Sequence, residues 1–140
     1  MKRFLIASLL LSVVLLIGCG TDNKSTEEVE PVVSIQDVTV TSPQANSSIT
    51  SPLTITGEAV GNWYFEASFP IKLVDEDGNI LASTIATAQG DWMTTDLVPF
   101  EATMVFNTTG PLDAELLFEK DNPSGLPENA GEYSVPVNIQ

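Results

Sequence analysis

Residues 53–59 read Leu-Thr-Ile-Thr-Gly-Glu-Ala (LTITGEA), and this heptapeptide decides the fold class. Leu53, Ile55, Gly57 and Ala59 fall on one parity and Thr54, Thr56 and Glu58 on the other. A period of two is that of a strand with one face buried, because successive side chains of extended backbone point to opposite faces. Outward from here the same alternation recurs. Val38 and Val40 share a face, as do Ile71 with Leu73, Ala102 with Met104 and Phe106, and Ala114 with Leu116 and Phe118. Near the end of the chain Tyr133, Val135, Val137 and Ile139 form one more such row. Residues 63–69, WYFEASF, read the same way, which predicts Trp63, Phe65, Ala67 and Phe69 on the core side and Tyr64, Glu66 and Ser68 in solvent. NILASTIATA, residues 79–88, is ambiguous because neither of its faces is consistently apolar. No stretch carries a comparable helical stripe.

Turn signals separate these rows: Ser51-Pro52, Asp77-Gly78, Thr109-Gly110-Pro111 and Asn122-Pro123. Short strands so punctuated predict an all-β fold, an immunoglobulin-like antiparallel β-sandwich of about seven strands spanning 36–140. The cysteine pair of antibody domains is missing, so packing alone must hold the core. Pro136 interrupts the last strand on its outward parity, and a residue with no N–H predicts an edge or a bulge there.

The other end of the chain carries a different message. Lys2 and Arg3 precede a mainly apolar run, Phe4 to Ile17, too short to cross a bilayer comfortably. It ends in Leu16-Ile17-Gly18-Cys19, which resembles the bacterial lipobox, where a signal peptidase cuts before the cysteine and the thiol is diacylated. The expectation is a lipoprotein signal peptide over 1–18, then a lipidated Cys19 and a disordered acidic tether over 19–35. Two acyl chains suffice for stable anchoring. The membrane is thus one expected partner, through the lipid on Cys19, with the domain facing the extracytoplasmic side of the cell membrane or the outer membrane.

Loss of Lys2 and Arg3 with the leader would take the net charge from −14 to −16. Such acidity disfavours nucleic acid, whose recognition rests on clustered Lys and Arg. With no histidine and one cysteine, the chain lacks the groups for Ser-His-Asp or Cys-His catalysis, an internal disulfide or an imidazole-bound metal. It also lacks a GxSxG elbow, a phosphate loop and an HExxH helix. No cofactor is expected, and the domain is expected to be a monomer and not an enzyme.

Three ordered stretches, SPLTITGEAVGNWYFEASFPIKLVDEDGNILA, ATAQGDWMTTDLVPFEATMVF and EKDNPSGLPENAGEYSVPV, resemble the bacterial spore germination immunoglobulin-like domain found appended to GerMN domains. The resemblance covers nearly all of the chain beyond residue 40. It implies an immunoglobulin-like sandwich in an envelope setting and supplies no catalytic residues.

Three stretches are candidates for chemistry. Asp75, Asp77 and Asn79 alternate as oxygen donors and form a weak cation candidate, but Ile80 and Ala86 stand where an EF-hand needs glycine and glutamate. Asp-Gly between apolar runs signals a plain hairpin turn. Trp92 and Met93 lie in a segment without alternation, as an exposed contact patch or as a cap folded back on the sandwich. Asp121, Asn122, Leu126 and Glu128 belong to the longest irregular stretch, 119–131, either a preorganised recognition loop or an ordered connection. The sequence reads as a lipid-anchored, non-enzymatic envelope module that binds an envelope protein or a cell-wall glycan. The alternatives are an inhibitor or chaperone-like domain acting on an envelope enzyme, and a glycan hydrolase working through two carboxylates.

Overall fold

A computed structural model describes residues 36–140. The expected leader, Cys19 and the tether lie outside the described residues. Eight strands follow in order: β1 (Val38–Ser42), β2 (Ser47–Ile49), β3 (Leu53–Val60), β4 (Ser68–Asp75), β5 (Ile80–Ala88), β6 (Leu97–Met104), β7 (Leu112–Glu119) and β8 (Glu132–Ile139). They form one curled sheet in the order β1-β3-β6-β5-β4-β7-β8-β2. The fold is all-β, as the alternation predicts. Two details differ from expectation: the strands number eight, and β2 runs parallel to β8 while the other pairs are antiparallel. Ser-Ser-Ile is too short to show a period, which is why β2 escapes a reading by pattern.

The sheet doubles over at β5. Along most of its length β5 pairs with β4, and its ladder with β6 is limited to Thr87↔Glu101 and Ala88↔Phe100, with the Thr84 hydroxyl donating to the Thr103 carbonyl at 2.8 Å. That link joins a three-stranded half, β1-β3-β6, to a five-stranded half. Inner-face rows from both halves fill the core: Ile55, Phe100 and Met104 on one side, and Phe69, Leu73, Leu116 and Val137 on the other, all buried. Phe69 on β4 meets Phe100 on β6 edge-on at 5.1 Å between ring centres, and Phe100 meets Phe118 on β7 at 6.0 Å. Such aromatic pairs add about 0.5–1.5 kcal/mol each beyond the area they bury, so they lock the two halves face to face.

The position of β5 also explains the ambiguity of NILASTIATA. Leu73 pairs with Ala82 and Val74 with Ile80, so Leu81 is an extra residue that shifts the parity of the strand. Of the nine residues of β5 only Ala86 is buried, and Ile80 and Ile85 are exposed.

Prolines sit where one ladder runs out. The Pro136 carbonyl accepts from the Asn46 N–H at 2.7 Å, so its ring nitrogen faces β2 just before that short ladder begins. Pro99 repeats the device on β6, its carbonyl accepting from Gln89 at 2.7 Å beyond the last β5 pair. A missing donor costs nothing where no partner strand asks for it. β8 is therefore an edge over its first half and covered over its second.

Candidate functional site

One end of the sandwich gathers three loops. Val60 pairs with Leu97, Ser68 with Thr87 and Glu119 with Glu132, which brings segments 61–67, 89–96 and 120–131 to the same end. The chain enters the domain there as well, since Val38 pairs with Ala59 and the Asp37 carbonyl accepts from Val60 N–H at 2.9 Å.

The first of these loops overturns the strand expected over 63–69. Gly61–Trp63 is a single turn of 3₁₀ helix, after which both Trp63 and Tyr64 are buried, each about 4% exposed. Phe65 and Ser68 then exchange backbone hydrogen bonds of 2.9 and 3.1 Å across Glu66 and Ala67, whose φ angles are 50° and 63°. Two central residues with positive φ in a two-residue hairpin make a type I′ turn. Glu-Ala is an unusual filling for it, since Asn-Gly avoids the cost of placing Cβ in left-handed backbone. The turn pushes Phe65 outward, 44% exposed, where the alternation predicts core. Tyr64, expected in solvent, lies beneath the loops. Its ring packs on Phe69 at 5.1 Å and its hydroxyl donates to the Val98 carbonyl at 2.7 Å. Burial pushes the Tyr64 phenol up to about 12, and the charge of Glu58 acts in the same direction.

The second loop splits the pair singled out from the sequence. Trp92 packs partly against the core while Met93 is 78% exposed, so one caps the sandwich and the other projects from it. Asp91 fixes the local turn by accepting from Met93 N–H at 3.1 Å. Gly61 is the joint between the first two loops. Its N–H donates to the Asp96 carbonyl at 3.2 Å, and a Cβ there would collide with the carbonyl oxygens of Trp92 and Thr94.

The third loop is ordered by its own side chains. Asn122 Nδ2 donates to the Leu126 carbonyl at 2.8 Å, Ser124 Oγ to Asn122 Oδ1 at 2.6 Å, and Asn129 Nδ2 to Ser124 Oγ at 3.1 Å. Asp121 N–H donates to the Trp63 carbonyl at 3.0 Å and ties this loop to the first. Leu126 is 49% exposed and Glu128 is exposed, so neither packs into the sandwich. Lys120 stands at the base of the loop. The other lysine among the described residues, Lys72, is held by Glu119 at 2.7 Å on the outer sheet face, whereas Lys120 forms no ion pair among them.

The cation candidate lies at the opposite end, in the β4–β5 hairpin. Both Asp75 oxygens already accept hydrogen bonds there: Oδ1 from Asn79 N–H at 2.7 Å and Asp77 N–H at 3.1 Å, Oδ2 from Asn79 Nδ2 at 2.9 Å. The Asn79 side chain, then the backbone N–H groups, hold the Asp75 carboxyl below its ordinary value. These bonds make Asp75 the organiser of a turn with Gly78 at φ 81°. Among the described residues no group of three or more acidic or cysteine side chains is placed to hold a metal.

Phe65, Asn62 and Lys120 are the surface residues that sequence reasoning passed over. Phe65 was hidden by its fit to a strand parity, and the other two carry no signal beyond their polarity.

The family described as the immunoglobulin-like domain of bacterial spore germination matches residues 37–125, more than half of the chain. Strand β8 lies beyond that match and still pairs with β7 from Leu112↔Ile139 to Glu119↔Glu132. No curated protein and no solved structure matches the chain.

Proposed function

The chain belongs to the family of immunoglobulin-like domains of bacterial spore germination, and from that premise we propose a non-enzymatic binding module of the bacterial envelope, tethered by lipid on Cys19, that engages its partner through the three-loop end. One observation carries this reading. Phe65, Met93 and Leu126 project from three loops that backbone hydrogen bonds and the packed glycine Gly61 tie together. Exposed apolar side chains on rigid loops lose little entropy on binding.

The lipobox-like LIGC supports the anchor, and the sixteen residues from Gly20 to Ile35 give the tether a reach of roughly 55 Å when fully extended. Since the chain enters at the loop end, a partner within that distance of the membrane is in reach. Capture from detergent-solubilised envelope tests the reading. Wild type should retain a component that the triple variant Phe65→Ser, Met93→Ser, Leu126→Ser loses at unchanged thermal midpoint. Retention by the variant at wild-type level would refute a role for these loops. Incubation with purified peptidoglycan should release no fragments.

A further inference from the structure

Two depressions meet at the base of the third loop. One, of about 290 Å³, lies between the first and third loops and is lined by Asn62, Phe65, Lys120, Asn122, Ser124 and Asn129, among others. The other, of about 600 Å³, continues past Lys120, Asp121 and Asn122 along Ala130, Gly131 and Pro70, with the carboxylates of Glu119 and Glu132 also on its wall. Their shared residues make them one elongated track rather than a compact pocket.

The chemistry of the track is that of a sugar surface. A pyranose ring has an apolar C–H face and a rim of hydroxyls; the first stacks on an aromatic side chain and the second pairs with planar amides, which donate and accept side by side. Phe65 supplies the exposed aromatic, fixed by the strained Glu66-Ala67 turn. Backbone strain of this kind collects at binding sites. Asn62 makes no side-chain hydrogen bond among the described residues, and Asn129 Oδ1 makes none either, so both are available to a ligand. Lys120 is the one cation without an ion pair among them, in a chain whose net charge repels polyanions.

From these observations we infer that the track binds a linear N-acetylated glycan strand, with Phe65 stacking on one ring, Asn62 and Asn129 pairing with acetamido or hydroxyl groups, and Lys120 pairing with a sugar-borne carboxylate. The inference rests on the binding-module reading above and names its ligand class. A protein partner fits less well, because a stable interface buries about 800 Å² per side around a more apolar, fully buried centre. Here Phe65, Met93 and Leu126 stand on separate loops, and beside Phe65 the track is lined by the polar groups of Asn62, Asn122, Asn129, Lys120 and Asp121.

Titration calorimetry of the full chain in detergent provides the test, with two probes: N-acetylglucosamine tetramer, which is neutral, and the peptidoglycan tetrasaccharide of alternating N-acetylglucosamine and N-acetylmuramic acid, which carries carboxylates. Both should bind saturably. Phe65→Ala should weaken both by about tenfold or more with at most a small fall in the thermal midpoint, since Phe65 is 44% exposed and lies outside the core. Lys120→Gln should weaken only the carboxylate-bearing probe. Absence of saturable binding of both probes at about 5 mM, or undiminished binding by Phe65→Ala, overturns the glycan assignment. Equal effects of Lys120→Gln on the two probes overturn the role given to Lys120. Failure of both probes together with loop-dependent capture of an envelope protein would sink the glycan and leave the binding module standing.

Discussion

Replacing Ala67 by glycine separates a turn from a strand by the sign of its effect. Ala67 at φ 63° is left-handed backbone, which costs an L-residue about 1–2 kcal/mol through the clash of Cβ with the following carbonyl. Glycine removes that clash but loses about 0.5–1 kcal/mol through the greater freedom of its unfolded chain. The net expectation is a gain of about 0.5–1 kcal/mol. Adding Glu66→Asn at φ 50° completes the favoured Asn-Gly pair of a type I′ hairpin and should bring the total to about 1–2 kcal/mol. For a domain of this size each kilocalorie moves the midpoint by about 4–8 °C, so differential scanning calorimetry resolves the effect and urea unfolding checks its sign at 25 °C. Had residues 63–69 been one continuous strand, glycine at 67 would destabilise by about 0.5–1 kcal/mol. A lowered midpoint for Ala67→Gly would therefore refute the turn, and with it the outward placement of Phe65.

Tyr64→Phe should cost about 1–3 kcal/mol in urea unfolding, because it strips the hydroxyl donor from the buried Val98 carbonyl. The phenol is raised from 10.0 to about 12, so its contribution is whole below pH 10 and is lost as pH rises towards 12; wild type should lose stability across that window and Tyr64→Phe should not. Asp75 is depressed by its hydrogen bonds, so the stability it lends is present above the ordinary carboxylate range and lost as pH falls through its lowered value. Asp75→Ala should flatten that part of the acid unfolding profile, and an unchanged profile would count against the turn as described. Gly61→Ala should cost more than about 2 kcal/mol, since its Cβ would meet two carbonyl oxygens, while Gly90→Ala, with open space around it, should be nearly silent. Cys19→Ser should abolish labelling by radioactive palmitate, and equal labelling of both proteins would remove the anchor.

Core rows were legible in the sequence wherever a strand buries one face against a partner along its whole length. Ile55, Gly57 and Ala59 on β3 are buried, and so are Ala114, Leu116 and Phe118 on β7, on the parity that alternation assigns them. Reading failed where geometry is set by something other than a period. Glu66-Ala67 carries no turn chemistry, so a type I′ hairpin passed for the middle of a strand. The bulge at Leu81 breaks the parity of β5, and β2 is only three residues long. The site was legible in part for a related reason. The 121–131 loop announces itself by its prolines and glycines, and Trp92-Met93 by lost alternation. Their meeting with Phe65 and Lys120 depends on which strand ends lie together, which pairing decides and local sequence does not.

Amide chemical-shift mapping on the ¹⁵N-labelled full chain tests the central claim most directly, with detergent-solubilised envelope titrated in. The account predicts that shifted or broadened signals concentrate in segments 61–67, 89–96 and 120–131, with the 75–79 hairpin at the opposite end unaffected. Perturbation confined to that hairpin or to the outer sheet faces, with the three loops unchanged, would contradict it.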